Sequence, residues 1–95
     1  MAKASHASEV TKFTDIPNVG KAMERDFLLL GLKSTAELKK LDAYALYQTM
    51  CKKSGVRQDP CVLDTYIAVI DFMNGAPAHP WFYYTKSRKE KYPTL

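Results

Sequence analysis

The chain is poor in the residues from which catalytic and redox sites are assembled. It has two cysteines, Cys51 and Cys61, and two histidines, His6 and His79. A zinc site on both thiols needs two further ligands, and neither histidine stands at a recognisable spacing from them. There is no glycine-rich phosphate loop with its lysine, no Ser–His–acid set and no metallohydrolase signature. The expectation is a protein that is not an enzyme, with no catalytic residues, no metal and no cofactor. No apolar run approaches the roughly 18 residues of a membrane helix, and Met1 to Val10 lacks the apolar core of a signal peptide. These absences point to a cytoplasmic protein with no membrane partner, in which the cysteines stay reduced. No segment alternates apolar and polar residues long enough to argue for a strand, and no internal repeat stands out.

One-sided charge is missing from the body as well. The formal net charge is +4. Between Asp15 and Gly75, however, eight basic residues face eight acidic ones. The excess lies in the ends, mainly in Lys86, Arg88, Lys89 and Lys91 against Glu90. A dedicated duplex binder presents a basic face; this chain would have to build one by arrangement rather than by composition.

The most informative segment is Ile16-Pro17-Asn18-Val19-Gly20-Lys21-Ala22-Met23. Pro17 and Asn18 break what precedes them. Asn18 tolerates a left-handed conformation, and Gly20 permits a close backbone approach or a positive φ. Ile16 and Val19, three apart, can both turn inward. The segment reads as a tight hairpin that opens a helix, with the amides of Val19 to Ala22 unpaired at its N-terminus. Converging donors and the helix dipole suit a phosphate. Lys21 would add a charge, and Arg25, about one turn on, an adjacent contact.

A coarse reading of the rest is all helical. Val10 and Phe13 mark a short first helix from Ser8, after a loose start. Met23, Phe27 and Leu30 form the stripe of a helix from about Val19 to Leu30, stopped by Gly31. Ser34-x-x-Glu37 is a capping-box pattern in which Glu37 returns to the Ser34 amide. Asp42 caps a helix carrying Leu46, Tyr47 and Met50, which Gly55 ends. Asp59-Pro60 starts the central helix. Its apolar face runs through Val62, Leu63, Tyr66, Ile67 and Ile70 to Met73, before Asn74-Gly75. Trp81-Phe82-Tyr83-Tyr84 cannot all face one way on a helix, so some dock and others stay exposed. These four could serve a protein partner or a homodimer, or stack unpaired bases. Cys61, in the first turn after Pro60, stands where a helix dipole can make a thiol reactive; packing as a small apolar residue is the weightier reading.

The hairpin resembles the helix-hairpin-helix motif of DNA repair, replication and recombination proteins, whose pattern is apolar–Pro–Gly–apolar–Gly. Asn18 replaces the first glycine, and Glu24 stands where the family has a small residue. Asp15 to Met73 as a whole is similar to a small bacterial family of pathogenicity-locus proteins, often labelled mitomycin-resistance proteins. The resemblance is carried by Ile16 to Gly20, Leu30-Gly31-Leu32, Leu46-Tyr47 and Asp59-Pro60-Cys61-Val62-Leu63-Asp64. It implies an all-α fold of five or six short helices in one small domain with a helix-hairpin-helix (SAM/HhH-like) motif. Residues 1–14 would form a flexible N-terminus and short first helix, 15–75 the core and 76–95 an aromatic, basic C-terminal extension. The expected function is weak, sequence-independent DNA binding through Asn18, Val19, Gly20, Lys21 and Arg25. The alternative is a protein-interaction or self-association module in which the hairpin is purely structural.

Overall fold

The computed structural model describes residues 3–95. Among them there is no strand; the chain folds into α1 (Lys21–Leu29), α2 (Ala43–Ser54), α3 (Pro60–Met73) and α4 (Thr85–Lys91). Four 3-10 segments accompany these: Ala7–Glu9, Phe13–Asp15, Thr35–Lys40 and Trp81–Tyr84. The all-α class is as expected. No helix among the described residues is long and apolar enough to cross a membrane.

Helix α3 is the axle of the fold. Asp59 caps it by accepting from the Cys61 amide at 2.9 Å, and Pro60 fills the first turn, where an amide would go unused. Leu63, Tyr66, Val69, Phe72 and Met73 are buried along it. Helices α2 and α4 and the segments Thr35–Lys40 and Trp81–Tyr84 pack around it. On its far side Phe27 of α1 lies between Phe13 and Tyr66, with ring centroids 5.3 and 5.8 Å away. Full burial of a ring of this size contributes about 1.5–3 kcal/mol. Phe27 therefore secures α1, which has only nine residues and is too short to be stable alone.

The helix stops follow from backbone chemistry. At α1 the Leu32 amide returns to the Phe27 carbonyl and the Gly31 amide to that of Leu28. At α3 Ala76 returns to Asp71 and Gly75 to Phe72. Both are Schellman closures, which need a left-handed residue, and Gly31 (φ 87°) and Gly75 (φ 105°) supply it.

Several expectations change. The first helix is replaced by two three-residue 3-10 segments, because nearby carboxylates close each turn separately. Glu9 accepts from the Ser5 and His6 amides, and Asp15 from the Thr11 and Lys12 amides and the Thr11 hydroxyl. These bonds hold both carboxyls below their ordinary range. Glu37 uses the same device, but on the Lys33 amide at 2.9 Å rather than on Ser34. The loose start expected for residues 1–7 is tied down from Lys3 onward. The Lys3 ammonium donates to the Thr14 and Val19 carbonyls, the Ala4 amide to the Asp15 carbonyl at 2.8 Å, and Ala4 and Ala7 pack against the core. Met1 and Ala2 lie outside the described residues.

Candidate functional site

The turn at Ile16–Gly20 joins the Phe13–Asp15 segment to α1. Ile16 and Val19 are fully buried, so the loop between them is pinned from beneath. Asn18 has φ 74°, the left-handed geometry expected of it. Gly20 is different: it is extended, at φ −100°, and a Cβ built on it meets nothing within 4 Å. Neither strain nor internal crowding demands glycine here; the space in front of it is open.

The amide inventory differs from the expectation in register. The Val19 amide is spent on the Ile16 carbonyl at 3.1 Å, and the first helical bond is Glu24 to Gly20 at 3.0 Å. The amides of Gly20, Lys21, Ala22 and Met23 have no protein acceptor among the described residues, and no side chain caps α1. In α2 and α3, by contrast, Asp42 and Asp59 fill that role. The open end of α1 faces a hollow of about 450 Å³ whose rim carries Lys3, Lys12 and Lys21 together with Asp15 and Glu24. Arg25 is exposed on α1 but does not line the hollow.

Asn18 is engaged elsewhere. Its side-chain amide donates to the His79 carbonyl at 2.9 Å, and its carbonyl accepts from the Trp81 amide at 3.2 Å. One side chain thus fastens the turn to the segment that carries the aromatic cluster. There, Tyr84 is buried while Trp81, Phe82 and Tyr83 keep 39%, 63% and 61% of their surface exposed. Tyr83 stacks on His79, with centroids 3.9 Å apart and planes within 5°, and Trp81 meets Phe82 edge-on at 5.7 Å.

A second polar cluster anchors the cluster from below. Asp64 is fully buried and Arg88 is 7% exposed; the guanidinium Nε reaches one carboxylate oxygen at 2.7 Å and Nη2 the other at 3.2 Å. The Thr85 hydroxyl adds a third donor at 2.8 Å. Arg88 therefore leaves the solvated basic run in which the charge pattern placed it. The available signal was Asp64 itself: a carboxylate inside the apolar face of α3 requires a cation, because burying one alone is prohibitive.

Cys51 and Cys61 are both free thiols, each part-buried. The Asp59 carboxylate beside Cys61, with burial, pushes that thiol above its ordinary range, opposing the helix end. The cap that starts α3 thus works against the activation that the position offered. Cys51 accepts a weak bond from the Gln58 amide at 3.4 Å. Among the described residues no three His, Cys, Asp or Glu side chains converge as a metal site would require.

Comparison with known proteins gives two matches. The model of the family described as Cdd1, pathogenicity locus, matches residues 6–90. A protein of Streptomyces lavendulae named "Mitomycin resistance protein McrB" is 39% identical over 83 residues, covering 87% of this chain and 79% of that protein. No solved structure gives a significant match.

Proposed function

The chain belongs to the pathogenicity-locus family, and from that premise we propose that it is a non-catalytic helix-hairpin-helix module that holds nucleic-acid phosphates without reading sequence. The observation that carries this reading is the uncapped N-terminus of α1. Four amides, from Gly20 to Met23, have no protein acceptor among the described residues, beside a glycine that nothing internal requires. Such an end favours an anion through both its donors and its dipole. Lys21 adds a full charge at the rim, where Lys3 and Lys12 also stand. Asp15 and Glu24 on the same rim offset part of this, so binding is weak and salt-sensitive. Arg25 reaches a neighbouring phosphate along the backbone rather than the same one. On this reading the first helix of the motif is reduced to the 3-10 turns before Ile16.

The test is fluorescence anisotropy of labelled DNA over a salt series. Affinity should fall linearly with salt on logarithmic axes, at about 0.9 per phosphate neutralised on a duplex. Lys21→Glu should weaken binding and lower that slope by about one, with helicity unchanged. An unchanged affinity in Lys21→Glu would remove the turn as the contact. The exposed rings Trp81, Phe82 and Tyr83 favour a second reading, a protein-interaction or self-association module in which the turn only builds the fold. A mass that rises with concentration in light scattering, together with no DNA affinity at low salt, would favour it.

A further inference from the structure

We infer that the nucleic acid taken by this module is single-stranded, with unpaired bases stacking on the Trp81–Tyr83 turn while the α1 end and its lysines hold the backbone. This rests on reading the turn at Ile16–Gly20 as the phosphate contact.

Three observations converge on this occupant. First, the core closes with Tyr84 alone and leaves three consecutive large rings outside it. The rings are nonetheless ordered: Tyr83 is already stacked on His79 on one face, so a flat group on its other face continues an existing stack. Second, the segment that carries the rings is fastened to the turn that opens α1, because Asn18 bonds both the His79 carbonyl and the Trp81 amide from within the turn. Third, the surroundings are cationic. Lys86 and Lys89 share a groove with Phe82, where Glu90 is the one carboxylate; Lys91 turns away from it, over the Tyr92 ring. Arg88 takes no part, since Asp64 holds it.

A ligand that fits must offer flat π-faces and anions at short alternating intervals on one flexible chain. Single-stranded nucleic acid does so. Bases in a duplex have both faces covered by their neighbours and cannot reach the rings. Stacking on aromatic side chains with lysines tracking the phosphates is the general mode of single-strand binding.

Trp81 is the single tryptophan of the chain, so its emission reports contact with the platform directly. The experiment titrates the full chain with a labelled oligothymidylate and, separately, with a blunt mixed-sequence duplex, following anisotropy and Trp81 emission. The variants are Lys21→Glu, Trp81→Ala with Phe82→Ala, and Trp81→Phe. The inference expects tighter binding of the single strand and quenching of Trp81. It expects a loss of about ten-fold or more for the single strand in the double variant. Trp81→Phe should restore most of that loss, and duplex affinity should change little. Both rings are exposed, so circular dichroism of the double variant should match the parent. Equal affinity for duplex and single strand with no effect of the double variant overturns the inference, and leaves the phosphate reading intact if Lys21→Glu still weakens binding. Loss of single-strand binding on ring removal with Lys21→Glu neutral supports the platform and refutes the turn as the phosphate contact. No nucleic-acid binding, with self-association abolished by the double variant, overturns both in favour of a second copy of the chain on the rings.

Discussion

Removing the Arg88 guanidinium should destabilise this domain more than any surface change of similar size. The Asp64 carboxylate is fully buried and accepts three hydrogen bonds, two from Arg88 at 2.7 and 3.2 Å and one from Thr85 at 2.8 Å. Arg88→Met keeps the length and apolar stem of the side chain but leaves the carboxylate with one neutral donor. Breaking a buried pair in this way costs about 3–5 kcal/mol. A domain of 95 residues has a total stability of about 5–14 kcal/mol. The single change thus removes a large fraction, and lowers Tm by on the order of 15 °C or more. Helix α4 has seven residues and does not hold itself together, so it should leave first and expose Asp64 to water. Urea unfolding followed by far-ultraviolet circular dichroism measures the loss. Arg88→Met combined with Asp64→Leu supplies the control, because replacing both charges by apolar groups is often neutral. A strongly positive coupling is expected: the double variant should recover most of the stability lost by Arg88→Met. If Arg88→Met unfolds within about 1 kcal/mol of the parent, Arg88 is in effect a surface residue and the anchoring of α4 by Asp64 is wrong.

Asn18→Gly keeps the left-handed backbone but drops both bonds to the 79–81 segment, at about 1–2 kcal/mol; Asn18→Ala adds the steric cost of φ 74° and should lose about 2–3 kcal/mol. Equal stability of the two variants in urea would mean that the backbone geometry is not held in solution. Burial, with Asp71 nearby, pushes the Tyr84 phenol up from 10.0 to about 12, and burial raises Tyr66 and Tyr47 as well. A raised folded pKa means that the stabilisation is complete below pH 10 and is lost as pH climbs through about 12. Ultraviolet titration should show tyrosinate still forming after unfolding begins, and Tyr84→Phe should flatten the alkaline loss of stability; an unchanged alkaline limb would refute the burial of that hydroxyl. Cys61 should alkylate more slowly than free cysteine at neutral pH, and Asp59→Ser, which keeps a capping oxygen, should speed it. A parent rate equal to free cysteine would show that Asp59 does not control the thiol.

What could be read from the sequence was what neighbours dictate to neighbours. Asp59-Pro60 and Asn74-Gly75 marked both ends of α3 because a cap, a ring-locked φ and a left-handed stop act within a few residues. Ile16 and Val19 turned inward as their spacing required. The open amides shifted by one residue, from Val19–Ala22 to Gly20–Met23, because a three-residue turn bond consumed the first of them. The helix expected before the turn gave way to two 3-10 segments because Glu9 and Asp15 compete locally for its amides. The Asn18 bonds, spanning 61 and 63 residues, had no local signature, and the Asp64–Arg88 pair, spanning 24, had only half of one: Asp64 called for a cation without saying which. They belong to tertiary packing, and they are the contacts that place the aromatic turn beside the candidate site.

The separation of Asp64 from Arg88 also orders events during synthesis. The central helix leaves the ribosome carrying a carboxylate that water must solvate until 24 further residues have followed it. Until then α3 cannot bury that face with its charge paired, although Asn18 already has its partners at His79 and Trp81. The face of α3 that carries Asp64 is therefore the part of the domain that closes last, once Thr85 and Arg88 have followed it. A chain that ends before that residue would present an apolar helix with an unpaired charge in its middle, which the finished protein does not.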